Sequence, residues 1–388
     1  MHEMKRGKKK FAATGMEHVY CLMCEEPDRI DWTTRTGVSW RNRAGDEVEP
    51  VDDEADEDTR VRALRAGRRP VCAAAGHPLP DPDSVLVGYF GQVSAGKDSM
   101  IGSAVYAASS GALMPHGVRL APAELSDGRR WVQVTANWVR EGRWEHRPTS
   151  RKESGSYKPT ELRAQVDGSD SRLGRSVMLF NTSGEDYWGE PPSADSMLET
   201  GPERSFHATF PFLPELDVIV IAVPPGALEG HGLRQRVGDS SHSPDRTISG
   251  IEKIATVVRE IDSVRAWPEE RARRRIVVLA LTKCDRYARV EGFPERVLRP
   301  RDRDRSLRDQ MAEEQALLGR FLVTYGGTGI LHAATGVADT VYFSAVSGTG
   351  PDDPGRSVIA AAPHLADAKR SLDPLHLAFM RHSIGRYA

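Results

Sequence analysis

The feature that most constrains this chain is an apolar segment, Val85–Phe90, that leads into a loop bounded by glycines and closed by a lysine. Glycines let backbone N–H groups crowd around phosphate oxygens, and a lysine at the head of a helix can reach the outer phosphates. The residues after the lysine are compatible with such a helix. The pattern predicts a strand, a helix, and between them a phosphate-binding loop that includes Gly91, Ser94, Ala95, Gly96 and Lys97.

The residue after this lysine departs from the usual pattern. A Ser or Thr hydroxyl normally binds Mg²⁺ at that place, but this chain has Asp98, and the hydroxyl comes one residue later, at Ser99. The loop therefore predicts that a nucleotide binds, with a changed set of residues around the metal ion.

The composition is that of an ordinary soluble globular protein. Of 388 residues, 39% are hydrophobic, and the formal net charge of −2 argues against nucleic acid as a partner. The longest uninterrupted apolar run, Val218–Val223, is far shorter than the roughly 20 residues of a membrane helix. The basic start of the chain lacks the apolar stretch of a secretory signal, so we expect a cytoplasmic protein without a membrane partner.

A metal site is predicted near the start of the chain. Cys21 and Cys24 are separated by two residues, which lets both thiolates bind one tetrahedral zinc ion. Cys72 and His77 would complete a structural Cys₃His site for Zn²⁺, with His18 as the rival fourth ligand. The alternative is that the paired cysteines are free thiols and that Cys72 and His77 are incidental.

The pattern of apolar residues changes after the first 80 residues. Residues 1–80 show little apolar periodicity, which predicts a zinc-ribbon-like module with an acidic insertion at about 45–60. Residues 81–388 alternate short β-rich segments with longer helical ones, which predicts one α/β domain. The strands at 162–166 and 176–181 are too close in sequence for a crossover helix, so we expect an antiparallel hairpin. We predict strands near 85–90, 162–166, 176–181, 216–223, 275–282 and 340–344, and helices at 97–108, 249–265, 304–325 and 372–386.

Two later segments fit the same nucleotide site. The strand that ends at Asn181 is followed by a tight turn at Gly184, where a backbone N–H can meet a γ-phosphate. The strand that ends at Thr282 is followed by Lys283, Cys284 and Asp285. The cysteine is expected to be buried.

The residues after this second strand can read a base. The carboxylate of Asp285 can accept hydrogen bonds from N1 and N2 of guanine, while the stem of Lys283 packs along the ring. Adenine presents a different edge, so the motif predicts guanine specificity. Ser344 and Ala345 end a last strand, and their backbone can touch the guanine O6.

These elements occur in the order and spacing of a known class. Residues 84–345 resemble a GTPase of the TRAFAC class of P-loop proteins. The N-terminal cysteines and the sequence Asn-Thr-Ser-Gly-Glu-Asp-Tyr from Asn181 resemble the bacterial double-GTPase type family described from conflict-system gene neighbourhoods. The resemblance implies a three-layer P-loop NTPase fold with a mixed, mostly parallel sheet, and GTP or GDP with Mg²⁺ as ligands. It implies phosphate contacts at Gly91, Gly96, Lys97 and Gly184, and base contacts at Thr282, Lys283, Asp285, Ser344 and Ala345.

The resemblance also implies switch residues. Glu185 stands where many GTPases have a glutamine that orients the attacking water. A glutamate can position the water or act as a base, yet it also repels the γ-phosphate, and a plain surface residue is the alternative. The switch threonine is either Thr149 or Thr160. Thr149 is preferred, because Thr160 lies almost against the following strand.

Two departures from the class concern the same magnesium ion. Asp98 stands where the class has Ser or Thr, and Asn181 stands where it has Asp. One hypothesis is a compensated exchange, in which Asp98 supplies the anionic ligand and Asn181 orients a metal-bound water. A second is decay, in which nucleotide binds but Mg²⁺ is poorly held. In a third, Ser99 is the displaced ligand.

Two functions follow from these hypotheses. The first is a slow GTPase that acts as a switch in a bacterial regulatory or conflict system. The second is a GTP-binding scaffold that is catalytically weak or inactive and holds a partner protein. Either function predicts a protein partner or a homodimer, joined through the switch loops or the zinc ribbon.

Overall fold

The computed structural model describes residues 18–20, 29–31, 38–42, 46–49, 69–73, 76, 84–123, 128–141, 159–166, 175–182, 212–228, 233, 237, 239, 241–264, 275–347, 370–382, 384 and 387. The chain forms two compact units, Met1–Pro82 and Asp83–Ala388. Each unit is described by itself below.

The first unit contains two short antiparallel strand pairs. Three- and four-residue strands of this kind bury little apolar surface, so they add little stability by packing alone. After the third strand, the Asp46 N–H donates to Asn42 Oδ1 at 3.0 Å. The pairs are β1 (His18–Tyr20) with β2 (Arg29–Asp31), and β3 (Val38–Arg41) with β4 (Arg69–Cys72).

The second unit is built on a seven-stranded mixed sheet. Its strands are β5 (Val85–Phe90), β6 (Val118–Pro122), β7 (Thr160–Val166), β8 (Arg175–Asn181), β9 (Val218–Val223), β10 (Ile276–Thr282) and β11 (Thr340–Val346). They lie in the order β11-β10-β9-β5-β8-β7-β6, and all neighbours from β11 to β8 are parallel. The six strands predicted for this unit are confirmed.

The predicted hairpin is also confirmed, because β7 pairs antiparallel with β8. Beyond it lies β6, which the sequence analysis missed and which pairs antiparallel with β7 at the edge of the sheet. Pro122 ends β6 opposite Leu162. Proline cannot donate a ladder hydrogen bond, so a short strand that contains it is tolerated at an edge.

The helices confirm the predicted ones and add two. Helix α2 has its buried Trp131 in the core, and α5 follows α4 after a short turn; neither was predicted. No helix within the described ranges is long and apolar enough to cross a bilayer. The helices are α1 (Lys97–Ser109), α2 (Gly128–Glu141), α3 (Pro244–Val264), α4 (Leu307–Thr324), α5 (Thr328–Thr335) and α6 (Asp373–Arg381).

Helices cover both faces of the sheet, because successive strand residues point to opposite sides. Val87 and Tyr89 of β5 share a core with Met100 of α1 and Phe379 of α6. On the other face, a side chain at Gly88 would meet Leu216, which follows a 3₁₀ turn packed on α3. The result is the predicted three-layer α/β arrangement.

Buried charges join the last strand to segments that precede it and segments that follow it in the chain. Arg301 donates to Asp373 Oδ1 at 2.7 Å and to Glu314 Oε2 at 2.5 Å, and Arg370 donates to Glu314 Oε1 at 2.8 Å. Ser344 of β11 donates to Asp373 Oδ2 at 2.9 Å. Two arginines thus balance two carboxylates, and the Arg301 charge holds the pKa of Asp373 below its usual value although burial opposes this.

A buried histidine of α6 makes the stability of this unit depend on pH. Burial, with the nearby Arg301 charge, lowers the pKa of His376 to about 3, and its Nδ1 lies 2.5 Å from Tyr387 Oη. An unfolded histidine titrates near pH 6.5, so acidification protonates the unfolded chain first and the folded state loses stability below that pH. We expect a loss of about 2 kcal/mol between pH 7 and pH 5 from this group.

The His376→Gln variant isolates this contribution. Glutamine can still bond Tyr387 but does not titrate, so its stability should fall by about 2 kcal/mol less than that of the unmodified protein over the same range. Urea unfolding at pH 7 and pH 5 measures the difference. Equal losses for the two proteins would show that His376 is not the source.

Candidate functional site

The glycine-bounded loop lies where β5 ends and α1 begins, and its backbone is unusual at three places. Gly91, Ser94 and Gly96 all have positive φ, at 147°, 59° and 95°. A Cβ on Gly91 would lie 2.9 Å from the Cβ of Ala222, so only glycine allows this close approach to β9. Ser94 takes a left-handed conformation without being glycine, a strain of about 1–3 kcal/mol that surrounding contacts must hold.

Lys97 is the first residue of α1 and is buried. Its Nζ donates to the carbonyls of Gly91 at 2.7 Å and Gln92 at 3.0 Å, so the ammonium folds back over the loop. Burial lowers the pKa of Lys97 to about 8, and the charge of Asp98 opposes that shift. A cation and the N-terminus of a helix therefore meet at the loop, which is the electrostatic setting that phosphates bind.

The two residues that depart from the class pattern touch each other. Asn181 at the end of β8 donates from Nδ2 to Asp98 Oδ1 at 2.7 Å. Ser99, the third metal-ligand candidate, donates instead to the Gly96 carbonyl at 3.0 Å. The carboxylate and the amide thus lie together beside the loop.

The strand that carries the predicted base-reading motif ends beside the phosphate loop. A Cβ on Gly96 would lie 3.4 Å from the Thr282 Cβ, and Lys283 takes a left-handed conformation with φ 54°. Cys284 is buried, as predicted. The backbone of Asp285 lies in the 3₁₀ turn Cys284–Arg289, and its side chain lies outside the described part of the structure.

The last strand continues past the residues predicted to support the base. Ser344 and Ala345 lie within β11 opposite Ala280 and Leu281, and β11 extends to Val346. The Ser344 hydroxyl is engaged by Asp373 rather than pointing out of the strand end. A contact between these two residues and a base would therefore involve the backbone, as predicted, and stays a prediction.

Several residues that the sequence analysis missed hold the loop from the side of α3. Gln92 Nε2 donates to Thr247 Oγ1 at 2.7 Å and to the Ser243 carbonyl at 2.8 Å. His242 Nε2 lies 3.0 Å from the Val93 carbonyl. The only sequence signal was a cluster of small polar residues just before a helix, which is typical of any helix start.

Other predicted residues lie outside the described part of the chain. These include the switch and catalytic candidates Thr149, Gly184 and Glu185, and the zinc ligands Cys21, Cys24 and His77. Cys72 is buried at the end of β4, and only the backbone of His18 is described, in β1. Thr160 is buried in β7. Among the described residues, no group of three or more His, Cys, Asp or Glu could hold a metal ion.

Comparisons with known proteins give weak likenesses. No protein family matches the chain, and no curated protein matches it. Among solved structures it is similar to the G domain of the T. maritima FeoB iron transporter, with 10% identity and a TM-score of 0.21 over 68% of this chain and 88% of that one. It is also similar to the GTP-bound S. cerevisiae Ski7 GTPase-like domain, with 12% identity and a TM-score of 0.28 over 74% of this chain and 50% of that one.

A signal recognition particle receptor complex from Chaetomium thermophilum, SRb-GTP/SRX, gives 15% identity and a TM-score of 0.24 over 73% of this chain and 96% of that one. The chain spans half of the Ski7 chain and 44% of a Sup35 chain that it also matches. The fold is therefore assigned from this chain's own strands and loop. The sheet is mixed and mostly parallel, helices cover both of its faces, and a glycine-bounded loop joins β5 to α1. This arrangement fits the P-loop NTPase fold.

Proposed function

We propose that this protein binds a guanine nucleotide and hydrolyses GTP slowly, as a switch in a bacterial regulatory or conflict system. The observation that carries the proposal is the contact between Asp98 and Asn181 beside the lysine-capped loop. The two departures from the class pattern are neighbours, so they can replace each other's roles. Both positions serve the same magnesium ion in the class, so a carboxylate moved from one to the other stays within the same site.

The loop supports binding of the phosphates. Lys97 already donates to two loop carbonyls, and a phosphate would add a stronger, charged acceptor. With a pKa of about 8, the Lys97 amine is protonated in most molecules at neutral pH. The first N–H groups of α1 lie at the same point and favour an anion.

The donor set at the loop fits magnesium. Mg²⁺ prefers oxygen ligands, and Asp98 offers a carboxylate next to the amide of Asn181. A summed charge of −1 from carboxylate plus amide equals that of the usual hydroxyl plus carboxylate. When bound, Mg²⁺ neutralises charge on the β- and γ-phosphates. Asp98 would hold the ion, and Asn181 would hold one of its waters.

Hydrolysis needs little covalent chemistry from the protein. A water oxygen bonds to the γ-phosphorus while the bond to the β,γ-bridging oxygen breaks, which yields GDP and inorganic phosphate. Lys97 would stabilise the charge that develops on the leaving oxygen. We assign positioning of the water to Glu185, the γ-phosphate contact to the Gly184 N–H, and closure of the switch to Thr149.

Base recognition is assigned to the end of β10. Thr282 lies against the loop at Gly96, which supports a position near Lys283 and Asp285 for the base of a nucleotide whose phosphates occupy the loop. The Thr-Lys-Cys-Asp sequence supports guanine rather than adenine.

The first unit is the proposed docking module. Cys21 comes directly after β1, and Cys72 ends β4, so a cysteine follows or closes a strand in each of the two pairs. Short strand pairs with cysteines at their ends suit a zinc ribbon. We propose that either this module or the switch loops bind a protein partner or a second copy of the chain.

The proposed function is tested by equilibrium binding and single-turnover hydrolysis on protein loaded with zinc. We expect GTP to bind at least about 10⁴-fold more tightly than ATP, to bind more tightly with Mg²⁺, and to be cleaved slowly. Binding without cleavage would favour the scaffold function. Equal binding of ATP and GTP would overturn the guanine assignment.

A further inference from the structure

A buried pair beside the phosphate loop has no role in the function proposed above. Asp239 and His242 are both buried, and His242 Nδ1 lies 2.7 Å and 2.9 Å from the two Asp239 carboxylate oxygens. The same carboxylate accepts from the Gly226 N–H at 3.0 Å and from Ser241 Oγ at 2.9 Å. Asp239 is thus fixed from several sides.

The two ring nitrogens of His242 face different groups: besides the Asp239 carboxylate, Nδ1 lies 3.1 Å from Ser241 Oγ, a hydroxyl that can also donate. Nε2 lies 3.0 Å from the Val93 carbonyl, which has no hydrogen to give. Burial raises the pKa of Asp239, but the hydrogen bonds from His242, Gly226 and Ser241 outweigh it and hold the pKa well below its usual value, so the carboxylate is ionised. Because a carbonyl can only accept, Nε2 of His242 is the donor in the hydrogen bond to Val93.

The hydrogen bond to the Val93 carbonyl also sets the next N–H. A trans peptide points its C=O and its N–H in opposite directions, and the described chain has no cis peptide. When His242 holds the Val93 carbonyl, the Ser94 N–H must point away from His242. Ser94 also has a strained, left-handed φ of 59°. The conformation of this peptide therefore has to be stabilised by contacts from outside the loop.

A second contact supports the same loop one residue earlier. The Gln92 side chain donates to Thr247 Oγ1 and to the Ser243 carbonyl, and its Oε1 accepts from the Ser243 N–H at 3.3 Å. The carbonyls of Gly91 and Gln92 accept from Lys97. The carbonyls of three successive loop residues, Gly91, Gln92 and Val93, therefore accept hydrogen bonds from the side chains of Lys97 and His242.

We propose that Asp239 and His242, together with the Gln92–Thr247 contact, form a clasp that positions the loop N–H groups for phosphate binding. The members of this loop clasp are positioning residues, because they act through the Val93 and Gln92 peptides. The inference depends on the loop binding nucleotide phosphates and not on which base the nucleotide carries.

The test compares ligands with and without phosphates on the full chain. In His242→Leu we expect the affinity for GDP to fall about tenfold, while the affinity for guanosine, measured at millimolar concentration by NMR, stays within about twofold. Thr247→Val removes the hydroxyl that Gln92 uses, and we expect a smaller loss with the same selectivity for GDP. A purely structural role would weaken both ligands together.

Two further variants serve as controls, one for a failure of His242→Leu to fold and one for an effect of mutation elsewhere in the domain. Asp239→Asn combined with His242→Leu avoids an isolated buried carboxylate, so it tests the clasp if His242→Leu alone does not fold. Ser84→Ala breaks the buried Ser84–Ser176 hydrogen bond at the opposite end of β5 and should change neither affinity. Circular dichroism confirms folding of each variant.

The possible outcomes separate this inference from the proposed function. Unchanged GDP affinity in folded clasp variants, or equal losses for GDP and guanosine, would overturn the clasp. If the unmodified protein binds ADP instead of GDP, the guanine assignment fails, and the same comparison of ADP with adenosine decides the clasp. If it binds neither nucleotide, both proposals are wrong.

Discussion

Replacing Asp285 by alanine is expected to lower the preference for GTP over ATP by roughly 10³-fold, mainly through weaker binding of GTP. A site built to hydrogen-bond a group rejects ligands that lack it by about 10⁴–10⁵, and truncating the acceptor removes most of that discrimination. The loop that binds the phosphates is untouched, so ATP should bind the variant about as well as it binds the unmodified protein. Competition binding with both nucleotides measures the two affinities.

An exposed aspartate serves as the matched control. Asp339 lies just before β11, at the end of that strand away from the nucleotide loops, and Asp339→Ala should leave the preference unchanged. If Asp285→Ala retains the full preference, Asp285 does not read the base and the interpretation of Thr282, Lys283 and Asp285 is wrong.

Replacing Asp98 by alanine is expected to act in opposite directions with and without magnesium. With Mg²⁺, the loss of an anionic ligand should weaken GTP binding by about 100-fold. Mutating residues that only hydrogen-bond a metal ligand already lowers metal affinity by about 10–100-fold. Without Mg²⁺, binding should become tighter, because a carboxylate next to Lys97 repels the phosphates. Decay of the metal site predicts tighter binding in both conditions.

The exchange of the two residues completes this experiment. Asp98→Thr combined with Asn181→Asp restores the class pattern, and we expect it to keep the magnesium dependence that Asp98→Ala loses. Ser99→Ala tests the third hypothesis and should have little effect, because the Ser99 hydroxyl is bonded to the Gly96 carbonyl. A large loss of magnesium dependence in Ser99→Ala would instead make Ser99 the ligand.

The strand core and the phosphate loop were predictable because their signals are local. A short, continuous apolar segment such as Val218–Val223 is typical of a buried strand in a sheet covered on both faces, and this strand is buried throughout. The loop from Gly91 to Lys97 was readable because its conformation demands glycine at fixed places, which the positive φ of Gly91 and Gly96 bears out. Local chemistry dictates these residue types, so they appear in the sequence.

The elements that were missed depend on distant partners. Strand β6 is short, and only its pairing with β7 makes it a strand. The loop clasp joins Val93 to His242, which are 149 positions apart, and a lone histidine before a helix gives no sign of such a contact. The length of β11 beyond Ala345 likewise follows from its register with β10.

The buried charges around Asp373 carry a consequence for the order in which the protein can mature during synthesis. Arg301 and Glu314 are made long before Arg370 and Asp373 leave the ribosome, yet each of the four needs the others to be buried without a large penalty. Ser344 of the last strand ends in the same network. The side of the sheet formed by β10 and β11 is therefore expected to close only after the segment at 370–373 has emerged. The loop from Gly91 to Lys97 is synthesised much earlier, so it can form before that segment.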